Sequence, residues 1–450
     1  MKTIRIGSGA GYAGDRIEPA VELIEKGNLD YIIFECLAER TIAIGQQDKM
    51  KDPEKGYNQL LEARMEQILL PAKKNGVKII TNMGAANPVS AVKKSIEVAN
   101  RLGVTGLKFA SVTGDDISGQ IGDYYENDVL ELGCKLGDIK EDVLSTNVYL
   151  GCEGILEALQ AGADIIITGR VSDPALTIAP IVYEFGWNTE DDADKMGQAV
   201  LAGHLLECAG QVTGGYYADP GYKDVPNLER LGFPLVEVSE DGTLIVTKVD
   251  GSGGMVTEDT CKEQMIYEIH NPARYLTPDA IADFSHVTFT QAGKDRVEAK
   301  NATSHGKPET LKVSIGYKDC FIGEGEISYG GTNCMNRAKL AADIVEKRLD
   351  IVGAEIEEYR TDFIGFNSLY KTKISEPIAP DVFPEVRLHI AGRTKDKKNA
   401  TLIANEVEAL YTNGPAGGAG AVKKVSEVVS ICSIFVPRDI VDIKVAYEEV

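Results

Sequence analysis

The feature that most constrains this chain is an alternation over its first 225 residues. Short runs of β-branched and apolar residues take turns with amphipathic stretches of helical period. The runs are Thr3–Ile6, Tyr31–Cys36, Val77–Thr81, Leu107–Ala110, Asn147–Leu150 and Asp164–Thr168. The helical stretches are Glu18–Lys26, Tyr57–Leu70, Val89–Arg101, Cys152–Ala161, Ala175–Phe185 and the longer Asp191–Ala209. Strands only four to six residues long, apolar throughout and separated by helices, bury both faces, which implies βαβ units around a parallel sheet. The fold class is therefore α/β, with an open, doubly wound sheet expected. A (β/α)8-like barrel is second choice, because about six units are visible rather than eight.

After Pro226 the pattern changes. Pro234–Val238 and Thr243–Val249 flank Glu240-Asp241-Gly242, a hairpin signal. Further runs at 286–290, 296–299, 312–317 and 326–329 read as antiparallel strands, with helices at 338–349 and 400–411. The expected organisation is an α/β domain over 1–225 and an α+β domain with an antiparallel sheet over 226–450.

Lys and Arg total 47 against 69 Asp and Glu, a formal charge of −22. That balance argues against nucleic acid and against anionic membrane as partners. No apolar run approaches the ~18 residues of a membrane span. The opening residues run straight into a strand without the apolar stretch of a signal peptide. Eight scattered cysteines, with no Cys-x-x-Cys pair, suit reduced thiols. A cytoplasmic location is expected.

The 46 glycines have no collagen-like period and mark turns. Gly9-Ala10-Gly11-Tyr12-Ala13-Gly14 fits G-x-G-x-x-G, and Glu35 lies 21 residues after Gly14, as in a dinucleotide fingerprint. Pro19 argues against it, because a helix opening within the glycines would bury a proline in its interior. Pro19 fits the first turn of a helix starting near Glu18. No Walker loop and no G-x-S-x-G elbow occurs.

Ligands of open parallel sheets bind beyond the carboxyl ends of the strands. Polar residues gather there: Ser8 and Gly9, Glu35 with Glu39, Asn82 with Asn87, Asp115-Asp116, and Arg170 with Asp173. Asn87-Pro88 also reads as an N-cap followed by proline. Arg170 suits bidentate recognition of a carboxylate or phosphate. His204 and Glu207 share one helix face at i,i+3, an acid–base pair in type. Asp115 and Asp116 are weak candidates for a divalent cation, and the residues leave the cofactor otherwise undetermined. Asn413–Gly420 offers backbone N–H groups, Gly417 and Gly418 among them, to an oxyanion.

Several segments together resemble the acyclic terpene utilisation protein family. They are residues 6–16, 82–88, 169–175, 203–208, 210–215, 275–279 and the Asn413–Gly420 loop. The resemblance implies a bacterial cytoplasmic protein of carboxylic acid or acyl-CoA catabolism. The expected activity is that of a lyase of the hydratase type on a small anionic substrate. Arg170, Ser8, Gly9, Asn82, Asn87, Gly417 and Gly418 would bind it, and Asp173, His204 and Glu207 would move protons. Longer members carry a C-terminal ferredoxin-like domain of about a hundred residues, a size at which a domain can stand alone. A small separate partner of that fold is expected to supply it, so the chain would be the large subunit of a homo- or hetero-oligomer. Two alternatives remain: a nucleotide-dependent oxidoreductase using Gly9–Gly14, and a non-catalytic ligand-binding or scaffold subunit.

Overall fold

The computed structural model describes residues 1–188 and 191–450. The chain forms two compact units, Met1–Gly316 with Ile431–Val450, and Tyr317–Ser430.

The first unit opens with β1 (Thr3–Ser8), α1 (Glu18–Lys26), β2 (Tyr31–Phe34), α2 (Glu39–Lys51), α3 (Leu61–Asn75), β3 (Lys78–Thr81), α4 (Pro88–Leu102) and β4 (Lys108–Thr113). It continues through β5 (Val143–Val148), α5 (Glu153–Gln160), β6 (Ile165–Thr168), α6 (Ala175–Phe185) and α7 (Ala193–Glu207). Strands β2 and β6 are buried at every position, as parallel strands covered on both faces must be. Five strands run parallel in the order β1-β2-β3-β6-β4. Leu23 and Ile24 of α1, Met65 and Ile68 of α3 and Val92 and Val98 of α4 pack with Ile32 and Ile79 in one core. Each such side chain contributes about 1.5–3 kcal/mol on burial. Helix α7 is buried from Met196 to Glu207, apolar on all sides except at a few positions.

Strands β7 (Pro234–Ser239) and β8 (Leu244–Lys248) form the expected hairpin, followed by α8 (Glu258–Ile266) and the short β9 (Tyr275–Leu276) and β10 (Ile281–Asp283). Then come β11 (Thr288–Gly293), β12 (Arg296–Lys300), β13 (Thr303–Ser304) and β14 (Thr310–Gly330). The hairpin does not open a second domain. Strand β7 pairs antiparallel with β1, Thr3 facing Ser239 and Gly7 facing Leu235. The compact units therefore divide at 316/317 and 430/431, not at 225/226. What changes at 226 is strand direction within one sheet. Strand β5 is also not a member of that sheet; it pairs with β14.

In the second unit α9 (Cys334–Ile351), β15 (Glu358–Ile364), α10 (Lys371–Ser375), β16 (Glu385–Thr394), α11 (Lys397–Glu408), α12 (Leu410–Asn413) and β17 (Ala419–Pro437) follow β14. The sheet order β15-β16-β14-β17 with this β-α-β-β-α-β sequence is the ferredoxin-like arrangement. Its core sets Ile327, Leu388 and Ile390 against Ala338 and Val345 of α9 and Ile403 of α11. Strand β18 (Lys444–Glu449) then pairs antiparallel with β4. The main sheet thus has ten strands in the open order β11-β12-β8-β7-β1-β2-β3-β6-β4-β18, mixed in direction and not closed into a barrel.

The first glycine loop ends where Pro19 requires. Helix α1 starts at Glu18 with proline in its first turn, well beyond the end of β1. A dinucleotide site needs the helix to begin inside the glycines, so the oxidoreductase alternative loses its geometric basis. The loop is packed from within. Buried Arg64 donates to the carbonyls of Ala13 (3.2 Å) and Asp15 (3.0 Å), and Gly11 N–H donates to Asp15 Oδ2 (2.9 Å). A Cβ at Gly11 would lie 2.5 Å from the backbone of Cys208.

Candidate functional site

A cavity of about 730 Å³ opens in the first unit. The turn after β6 supplies Ser172 and Asp173, α7 supplies His204 and Glu207, and the start of α2, just beyond β2, supplies Glu39. Tyr275–Pro278 and the Lys307–Lys312 segment also line the cavity. The cavity therefore sits beyond the carboxyl ends of β2 and β6, where parallel sheets place their ligands. Gly203 brings the parts together: a Cβ there would meet Pro174 Cα at 2.6 Å. Its absence lets α7 press against the turn that carries Asp173.

Two of the carboxyl groups on the cavity, Asp173 and Glu207, are each held from behind by a buried basic side chain. Behind Asp173 lies Arg170, 1% exposed. Its Nε donates to the Val171 carbonyl at 2.8 Å, and its two Nη atoms donate to the Leu37 carbonyl and to Asp173 Oδ1. The guanidinium stacks 4.5 Å from the centre of the Tyr149 ring. Burial alone would lower its pKa, but the charges of Asp173, Glu35 and Glu39 more than offset that and hold it above the ordinary value. Asp173 is pushed up to about 6, chiefly by burial; Arg170 opposes the shift, and Glu207 and Glu39 add to it.

Behind Glu207 lies His204, also 1% exposed. Its Nδ1 bonds Glu207 Oε1 at 2.7 Å and its Nε2 bonds the Met265 carbonyl at 3.0 Å. The Met265 carbonyl can only accept, so Nε2 carries a proton, and Nδ1 donates to Glu207 whenever that carboxyl is ionised. Burial would lower its pKa, yet Glu207 and the Met265 carbonyl raise it above the usual histidine value. Tyr275 and Phe284 flank the ring with centroids 5.2 and 6.0 Å away. Glu207 Oε2 is buried and has no hydrogen-bond partner among the described residues, and Ser172 Oγ is in the same state. A buried acceptor left open is costly unless something fills it.

Glu35 and Asn82 form a layer beneath. Glu35 Oε1 accepts from Leu37 N–H (2.8 Å) and Asn82 Nδ2 (3.2 Å), while Asn82 Oδ1 accepts from Cys36 N–H (2.7 Å). Burial and then Asp173 raise Glu35 well above the usual carboxyl range, against Arg170.

The expected site residues thus separate. Asp173, His204 and Glu207 come together on the cavity. Arg170 stands behind them with its donors committed to internal acceptors, so it holds Asp173 rather than facing the cavity. Ser8 is fully buried, and a Cβ at Gly9 would strike the Phe34 ring. Asp115 accepts from Asn147 Nδ2 (2.8 Å) and from the Arg170 N–H (3.0 Å), and burial pushes it up to about 6. It clamps the Arg170 backbone. Asp116 caps the Ser118 N–H. Among the described residues no three His, Cys, Asp or Glu side chains gather as a metal site. Gly417 and Gly418 belong to the second unit, beside Arg337 and Tyr329.

Asn87 caps α4 through Ser90 N–H (3.3 Å) and donates to the carbonyls of Pro53 and Lys55, each at 2.8 Å. Asn87→Ala should cost about 1–2 kcal/mol by urea unfolding and leave ligand affinity unchanged. A fall in affinity without that loss of stability would place Asn87 in the binding site instead.

Sequence reasoning missed Tyr149, Arg274, Lys307 and Lys312, all on the cavity. The wall residues Tyr275–Pro278 carried a signal, since they lie in one of the family-like segments.

A family model, that of the acyclic terpene utilisation family protein AtuA, matches residues 4–447. The chain belongs to the AtuA family. No curated protein shows a match to it. Membership assigns a catabolic role in acyclic terpene utilisation. Three AtuA-like segments, 169–175, 203–208 and 275–279, supply much of the cavity lining. No helix among the described residues is long and apolar enough to cross a membrane.

Proposed function

We propose that this AtuA-family protein is a lyase of the hydratase type, acting on a small carboxylic acid or its CoA ester in the first-unit cavity. One observation carries the reading. Two of the carboxyl side chains that line the cavity, Asp173 and Glu207, have surroundings that give them different tasks. Asp173, titrating near 6, can carry a proton at working pH. Glu207 bonds a buried imidazole through Oε1 and leaves Oε2 without a hydrogen-bond partner among the described residues. Environments that set two carboxyls apart are what acid–base catalysis uses.

In the dehydration direction, Glu207 Oε2 takes the proton from the carbon next to the carboxyl or thioester. The C–H pair becomes the new C=C bond. The C–O bond to the β-hydroxyl breaks, and that oxygen leaves as water with the proton of Asp173. The proton on Glu207 then returns to Asp173, closing the cycle. His204 holds Glu207 in place through its Nδ1 contact, and Arg170 holds Asp173 through Nη.

The test is solvent exchange, which reads the proton transfer on any substrate of the right class. The protein is incubated in D2O with short- and medium-chain 3-hydroxy acids, 2-enoic acids and their CoA thioesters, and followed by NMR. Deuterium entering the α position, with the double bond forming or disappearing, is the expected result. Absence of both from every compound of either series rejects the reading.

A further inference from the structure

We infer that the cavity takes its substrate as a free carboxylate held by Arg274, and not as a CoA thioester; the inference rests on the acid–base reading above. Three cationic side chains other than His204 line the cavity: Arg274, Lys307 and Lys312. Lys307 is paired with Glu153 at 3.0 Å. Lys312 is paired with Glu39 at 3.4 Å and lies 5.1 Å from the centre of the Tyr149 ring. Arg274 has no side-chain hydrogen bond or ion pair with any described residue. It borders the cavity beside Tyr275, whose ring packs on His204. The one uncommitted cation among the described residues of the lining therefore shares a cavity with Glu207.

The charge around it selects the partner. Five carboxyl side chains line the same cavity: Glu39, Asp173, Glu207, Glu268 and Glu309. A CoA thioester brings several phosphate charges and no carboxylate. It would meet that acidic lining with two of the three cations already neutralised. A monocarboxylate brings a single charge, and the planar fork of Arg274 suits it. The same guanidinium gains more when the α-proton leaves, because the carboxylate then becomes a dianionic enolate. Leu276, Pro278, Ile281 and Leu311 offer apolar surface for the hydrocarbon portion.

The probe is 3,7-dimethyloct-6-enoate, a branched acyclic acid without a 3-hydroxyl, compared with its primary amide and its CoA thioester. Saturation-transfer NMR and titration should show the acid binding and the amide and thioester binding at least about tenfold more weakly. Arg274→Gln should weaken the acid by about tenfold or more and leave the amide unchanged, with Arg274→Lys between the two. Equal binding of acid and amide, or an acid affinity unmoved by Arg274→Gln, overturns the inference. So does tighter binding of the thioester. Because binding is read without turnover, a failed exchange experiment leaves this result standing. Conversely, exchange confined to thioesters would keep the chemistry and remove the carboxylate anchor.

Discussion

Asp173→Asn and Glu207→Gln should each lower turnover by about 10²- to 10⁴-fold while the fold stays intact. Both substitutions keep size and shape. The introduced asparagine would still present an oxygen to Arg170, and the introduced glutamine an oxygen to His204 Nδ1. What disappears is the proton in one case and the basic oxygen in the other. The pH profile separates the two roles. In the dehydration direction Asp173 acts protonated, so the wild-type rate should fall as pH rises through about 6. Asp173→Asn should lose that limb along with most of the rate. The stability sign is the same. Asp173 rises from 3.8 to about 6 on folding, so the folded chain binds its proton more tightly. Its contribution is present in full below 3.8 and lost as pH rises through about 6. Glu207→Gln has its own signature in His204, whose raised pKa depends on the Glu207 charge. Its imidazole NMR signal should titrate at lower pH in the variant. Turnover within twofold of wild type for both variants, measured at the optimum, would remove the two carboxyls from the mechanism.

Local pattern carried the parallel core well, because it is built from local rules. Pro19 placed the start of α1, and the periodicity over 191–209 foretold α7, which runs Ala193–Glu207. Helix α2 escaped, since Glu39–Lys51 is polar, interrupted by Gly45 and buried only at Ile42 and Ala43. The misplacements were of partnership. Nothing within residues 143–148 says that they pair with β14 rather than with the parallel strands, and nothing in 234–239 names β1 as the neighbour. Pairing over hundreds of residues is decided by tertiary packing, which local composition does not encode. The site divides along the same line. Asp173, His204 and Glu207 stand on a strand-end turn and a patterned helix, so spacing found them. Arg274 and Lys307 stand in polar loop stretches and Lys312 opens a strand-like run, and nothing local in any of the three points to a cavity. Only the fold shows that they border a cavity. Arg170 was expected to hold a substrate carboxylate or phosphate, whereas its donors go to Asp173 and to backbone carbonyls, because burial of a guanidinium is a property of what surrounds it.

That burial makes Arg170→Met the substitution with the largest expected effect on stability. Methionine fills much of the stem volume, so the cavity term is small. The loss is electrostatic. The carbonyls of Val171 and Leu37 lose their donors, and the carboxyls of Asp173 and Glu35 lose the cation that opposes their burial. Removing one partner of a fully buried pair typically costs about 3–5 kcal/mol; with the Asp173 side chain 35% exposed, screening leaves about 2–3 kcal/mol, which urea unfolding near neutral pH should show as a lower midpoint at unchanged slope. Lysine should rescue little, since a point charge on a flexible stem cannot reach three acceptors set around a planar fork. Two controls separate this account from simple damage to the core. Asp173→Asn in the same chain should recover part of the loss, because no unpaired carboxylate then remains at that position; the double variant should fall short of the sum by about 1 kcal/mol or more. The defect should also shrink as pH falls below about 6, where Asp173 takes up a proton and no longer needs the guanidinium. A defect that is additive and independent of pH would mean that Arg170 serves as packing, and that Asp173 owes its place on the cavity to something else.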